Sequence, residues 1–225
     1  MRTSTFFSIP ILFCLLFIGG LGRTSAQAFD ISSGGLPTMT GALSGSVTGS
    51  SSTTTNLAVT INFGQVSPQN TNSIVKVIVP VAIRSTAAYK VTATVTGSTN
   101  ANAQAIQRSD IGFGARNLRV LGNGNNAQVC TNSLHIFASP FGNDPATSVF
   151  INASGRAAYP SALSNVGTAT TILSGPRLSQ NNANRNANNG YIFDAVFAIT
   201  PQFYATGSAS LTITFTISSG PTAPC

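Results

Sequence analysis

Beyond residue 55, apolar and polar residues alternate with a period of two along much of the chain. In residues 74–96, IVKVIVPVAIRSTAAYKVTATVT, the apolar Val75, Val77, Val79, Val81 and Ile83 alternate with Lys76, Ile78, Pro80, Ala82 and Arg84. After a break at 85–88, Tyr89, Val91, Ala93 and Val95 repeat the pattern. Successive side chains of a strand point to opposite faces, so this stretch predicts two consecutive strands with a common buried face. The break is short enough for a hairpin but lacks the Asn-Gly or Gly-X pair that fixes a tight turn. Pro80 has no N–H to donate to a ladder, which predicts an edge position or a bulge there.

The same reading finds further strands. Leu57, Val59, Ile61 and Phe63 share one face of residues 56–64, and Leu211, Ile213, Phe215 and Ile217 share one face of 209–218. Residues 191–200, YIFDAVFAIT, are apolar on both faces apart from Asp194 and predict a central strand. Residues 110–121 predict a short strand pair around Gly112 and Gly114, where glycine signals a bulge or a close backbone approach. Shorter strands are predicted within 133–138, 147–152 and 168–173. Short strands with polar turns and no convincing helix predict an all-β, antiparallel sandwich, immunoglobulin-like or pilin-like, as one domain over 56–225. Residues 29–55 are rich in Gly, Ser and Thr and predict an exposed arm, with addition of a strand to a neighbouring subunit as the sharper alternative.

Residues 1–28 carry Arg2, the apolar run 6–18 and Ala26-Gln27-Ala28, the three parts of a secretory signal peptide, with cleavage expected after Ala28. The run is shorter than the ~20 residues of a membrane span, and no later segment is apolar enough for one. Beyond the leader only Cys130 and Cys225 remain, and an even pair in an exported chain suggests one disulfide. It would close a loop of about 95 residues; the alternative is a Cys225 that is free or pairs with another subunit. Charge is scarce: no glutamate and only Asp30, Asp110, Asp144 and Asp194, against a net charge of +7 that falls to about +5 once Arg2 and Arg23 leave.

Candidate chemistry is correspondingly thin. His135 is the only histidine and sits in an apolar alternation, LHIF, so no metal-ligand cluster, cofactor site or supported catalytic triad is expected. Asp110 and Asp194 would have to meet in space to serve a glycosidase. Asp194, within an apolar strand, needs a partner against desolvation, and Arg84 or Arg116 would supply one. Arg108, Arg116 and Arg119 surround Phe113 and form a candidate patch for an anionic ligand, with simple solvation as the alternative. Export and the lack of any binding motif argue against nucleic acid. For a glycan, Tyr89, Tyr159, Tyr191 and Tyr204 would have to replace the absent tryptophan as stacking rings.

The strand LAVTINFGQVSP, in which INFG is followed by Pro68, the strand pair after it and the last strand ASLTITFTIS together resemble fimbrial subunits, including the spore-coat-U-like group assembled by the chaperone and usher route. That resemblance implies an immunoglobulin-like sandwich with one strand supplied by a neighbour, export to the periplasm, and assembly into a surface fibre. The positions of Cys130 and Cys225 and the PTAPC ending depart from the pattern. The expectation is therefore a non-enzymatic, exported surface protein, secreted, periplasmic or on the cell surface. It would be fimbrial-subunit or adhesin-like and would act by assembly or attachment, with copies of itself or other surface subunits as partners. The alternative is a secreted glycan-binding module using loops 122–126 and 180–190, and a hydrolase built on Asp110, Asp194 and His135 is the third class.

Overall fold

The computed structural model describes residues 29–41, 44–66, 73–97, 106–121, 134–178, 190–204 and 209–221. The leader, Cys130, Cys225, loop 122–126 and all of loop 180–190 except Gly190 lie outside the described residues.

The fold is two antiparallel sheets packed face to face, as the alternation predicts. The first contains β1 (Phe29–Ser33), β2 (Thr38–Thr40), β5 (Val75–Ser85), β12 (Tyr191–Ile199) and β7 (Ile111–Val120), ordered β1-β5-β12-β7, with β2 also on β5. The second runs β3 (Ser46–Thr53), β4 (Asn56–Asn62), β13 (Ser210–Ser219), β6 (Tyr89–Thr96), β11 (Thr170–Gly175) and β8 (Ile136–Phe137). A small hairpin of β9 (Phe150–Ile151) and β10 (Ala157–Ala158) stands beside them, preceded by the one-turn helix α1 (Pro145–Ser148).

The core lies between the sheets and is made of the alternating residues. Val75, Val77, Val79, Val81 and Ile83 of β5 and Tyr191, Phe193, Ala195 and Phe197 of β12 face Leu57, Val59 and Ile61 of β4 and Leu211, Ile213 and Phe215 of β13. Aromatic rings bridge the layers: Phe113 and Phe193 from one sheet lie 6.4 and 6.1 Å from Phe215 of the other, in the offset and edge-on arrangements that ring quadrupoles favour.

Several sequence expectations change. β5 and β6 do share one buried face, but residues 85–88 form a corner between sheets and not a hairpin, consistent with the missing turn signal. Residues 110–121 hold one long strand, β7, and not a strand pair. The segment 29–55, expected as an exposed arm, is instead paired over much of its length: β1 and β2 pair with β5, and β3 pairs with β4. The reason is that Phe29, Asp30 and Ile31 bring an apolar alternation ahead of the Gly-rich run, and Ile31 is buried in the core. Pro80 is on neither an edge strand nor a bulged one. The Gly34 amide donates to the Pro80 carbonyl at 2.8 Å, so Pro80 turns its polar side toward β1 and β2, and its missing N–H falls in the gap between them.

The outer face of the first sheet is covered by the excursion 138–165. Gly112 and Gly114 permit this: a Cβ at Gly112 would lie 2.4 Å from the Tyr159 ring, and one at Gly114 2.1 Å from the Asn143 carbonyl oxygen. The Ala115 amide donates to the Phe141 carbonyl at 2.7 Å and the Phe113 amide to that of Ser161 at 2.8 Å. Gly114→Ala is expected to lower stability by about 1–3 kcal/mol in urea denaturation through this clash. Gly49→Ala, where the new Cβ meets nothing within 4 Å, should stay within about 0.5 kcal/mol.

Candidate functional site

Every aspartate of the chain is ion-paired, and the pairs lie on the first sheet or its cover. Asp144 caps α1, accepting from the Ala146 amide at 3.1 Å, while its other oxygen holds Lys76 at 2.6 Å and Arg116 at 2.7 Å. This ties the cover to β5 and β7 together. Asp110 accepts from Arg156 at 3.1 Å and from the Gln107 amide at 2.8 Å.

Asp194 pairs with Arg119 at 2.8 Å and accepts from the Asn117 side-chain amide at 2.8 Å. Neither expected partner, Arg84 or Arg116, takes it, although Arg116 is directly opposite in the ladder. A one-residue bulge explains this. Ile192 pairs with Arg119 and Asp194 with Arg116, so β7 holds one residue more than β12 between these pairs, with Asn117 at φ 56°. In an unbroken strand, residues three apart point to opposite faces; the bulge puts Arg116 and Arg119 on the same one. Their side chains, like that of Arg156, are about 40% exposed, so each of these surface pairs contributes on the order of 0–1 kcal/mol.

Of the three arginines expected to surround Phe113, the bulge brings Arg116 and Arg119 together beside Asp144 and Asp194. Arg108 lies beyond the opposite end of β7, donating to the Gly97 carbonyl at 3.1 Å. Asp110 and Asp194 do not face each other. Asp110 precedes Ile111, which pairs with Ile199, five residues along β12 from Asp194, or roughly 17 Å. Among the described residues no group of His, Cys and Asp is arranged to hold a metal ion, and no helix is long and apolar enough to cross a membrane. Tyr89, Tyr159 and Tyr191 are buried, and Tyr204 is half-buried with Arg156 over its ring, so none offers a free ring face to a sugar.

His135 is buried between two tyrosine rings, its Nδ1 2.9 Å from the Tyr89 hydroxyl and its ring 4.9 Å from that of Tyr191. It packs onto Gly175, where a Cβ would come within 2.3 Å of Nδ1. Burial lowers its pKa to about 4 and pushes that of Tyr89 far up.

The most heavily buried ion pair joins the N-terminal segment to β5. Asp30 and Arg84 are directly opposite in the β1–β5 ladder, their charged groups 3.0 Å apart with 2% and 7% of their side chains exposed. On the other face of the same two strands Ile31 sits opposite Ile83, both fully buried. The β1–β5 seam is therefore fixed on both faces, by a core contact on one and a buried charge pair on the other. Composition hid it, and the Phe29-Asp30-Ile31 alternation was its one sequence signal.

No protein-family model, curated protein or solved structure matches the chain.

Asp30→Ala or Arg84→Ala removes one half of a buried charge pair and is expected to cost about 3–5 kcal/mol by chemical denaturation, whereas Asp30→Leu with Arg84→Met should recover most of the loss. His135 sets a second expectation. Its folded pKa is below the ordinary value of 6.5, so the unfolded chain takes up the proton first. The stability it contributes is complete above pH 6.5 and is lost as pH falls toward about 4, by up to roughly 3 kcal/mol. His135→Gln should flatten the melting temperature against pH over that interval; an unchanged slope would contradict this origin.

Proposed function

We propose that the chain is an exported, non-enzymatic structural protein of the bacterial surface, a fimbrial-subunit or adhesin-like immunoglobulin-type sandwich that works by assembly or attachment. The observation that carries this reading is the β1–β5 seam. Once the leader is removed, the segment that begins the chain supplies an edge strand, places Ile31 in the core and sets its register through Asp30 and Arg84. It then breaks at the Gly34–Gly35 pair before β2 returns to the same strand. An edge strand of this kind, contiguous and terminal, can occupy the same seam on a neighbouring copy with the same hydrogen bonds, which is strand addition between subunits. The engagement of all four carboxylates in ion pairs agrees with a structural role.

Sedimentation of the processed chain, residues 29–225, against a chain beginning at Asn56 tests this reading. Open-ended assemblies of the longer chain, none of the shorter, and thermal stabilisation of the shorter by an added peptide of residues 29–55 are expected. A compact monomer of the longer chain at every concentration would contradict the proposal.

A further inference from the structure

A sheet edge left unpaired is a template for another strand, and natural proteins block such edges with charge, proline, bulges, short strands or covering loops. Three of the four edges of this sandwich are blocked in one of these ways. β7 receives the Phe141 and Ser161 carbonyls from the cover and an isolated bridge from Gly112 to Ala162. The β1 and β2 edge is interrupted at residues 34–37, where Pro37 lies. β8 is two residues long.

β3 has almost none of these protections. It runs for eight residues, SVTGSSST, with no charge and no proline. Its bulge, between Ser51 and Thr53, is at the turn end, leaving 46–50 in regular register with β4. Among the described residues nothing pairs with the side of β3 that faces away from β4. Ser46, Thr48 and Gly49 are exposed, and the space around Gly49 is open to at least 4 Å from an added Cβ.

We infer that β3 is the edge on which a second copy of this chain docks, joining two six-stranded sheets across a two-fold axis. This pairing is separate from strand exchange at β5 and does not depend on it. The occupant is a second copy because the edge is complementary to itself: uncharged hydroxyl side chains and glycine meet their own kind without the repulsion that a net positive chain suffers wherever its cations meet. Geometry narrows the register. Side chains alternate faces with period two, so residues directly opposite must share a face. The axis then passes through a residue, Thr48 or Gly49, and not between two. In either case Thr48 comes opposite its own counterpart or one diagonal step, roughly 7–8 Å, away.

Sedimentation velocity on the processed chain with Thr48→Lys and Thr48→Asp tests this. Thr48 is exposed and its side chain points away from the core, so both variants should keep the wild-type circular dichroism and melting temperature. The wild type is expected to dimerise as its concentration rises, each variant alone to lose that species, and an equimolar mixture of the two to regain it. A wild type without the species, variants that keep it, or a mixture that fails to regain it would overturn the β3 pairing. Larger assemblies that persist in Thr48→Lys but vanish in the chain beginning at Asn56 belong to exchange at β5, so the two proposals fail separately.

Discussion

The sandwich depends on the pairing of residues 29–33 with β5. β5 is the longest strand among the described residues and carries β1 and β2 on one side and β12 on the other. Its inner face needs Ile31 beside Ile83 to close the core, and its outer face places the buried Arg84 directly against Asp30. A buried guanidinium without a carboxylate is costly enough that the segment is held to one register: a shift by one residue would turn Ile31 outward and Asp30 into the core. Pro80 fits the same scheme, since its missing donor falls where β1 has ended and β2 has not begun.

The charges on the other half of the first sheet have a related role. Asp144 draws Lys76 and Arg116 onto the start of α1, Asp194 holds the bulged side of β7, and Asp110 anchors Arg156 of the β9–β10 hairpin. Together with Gly112 and Gly114, they seat residues 138–165 against the sheet. The second sheet presents a different outer face, rows of threonine running from Thr60 to Thr212 and Thr96, with a hydroxyl pair between the first two at 3.0 Å. One face is closed by ion pairs and loops; the other is mostly hydroxyl-bearing, with Lys90 as a charge on β6, and ends at the β3 edge.

Much of the fold was legible in the sequence because the core is made by alternation. The central place of β12, the one buried face of β13, the close approach at Gly112 and Gly114, and the common buried face of β5 and β6 all follow from residue order. What failed were features that need the third dimension. Residues 85–88 are a corner because β6 belongs to the other sheet, which alternation within one strand does not encode. Arg119 replaced Arg116 at Asp194 because a single bulge reverses alternation, and no residue type announces a bulge at Asn117. The Gly, Ser and Thr of residues 29–53 predicted exposure, but hydrogen bonds to β4 and β5 and one buried isoleucine were enough to order them.

Cysteines placed at Ser32 and Ala82, directly opposite in the β1–β5 ladder, test most directly whether this seam joins subunits. Oxidation of the assembled protein with Ser32→Cys and Ala82→Cys, followed by non-reducing electrophoresis, should give a ladder of covalent oligomers, because β1 of one copy then lies on β5 of the next. A single band at monomer mass, formed by crosslinks within each chain, would contradict exchange and leave β1 as a strand of its own subunit only.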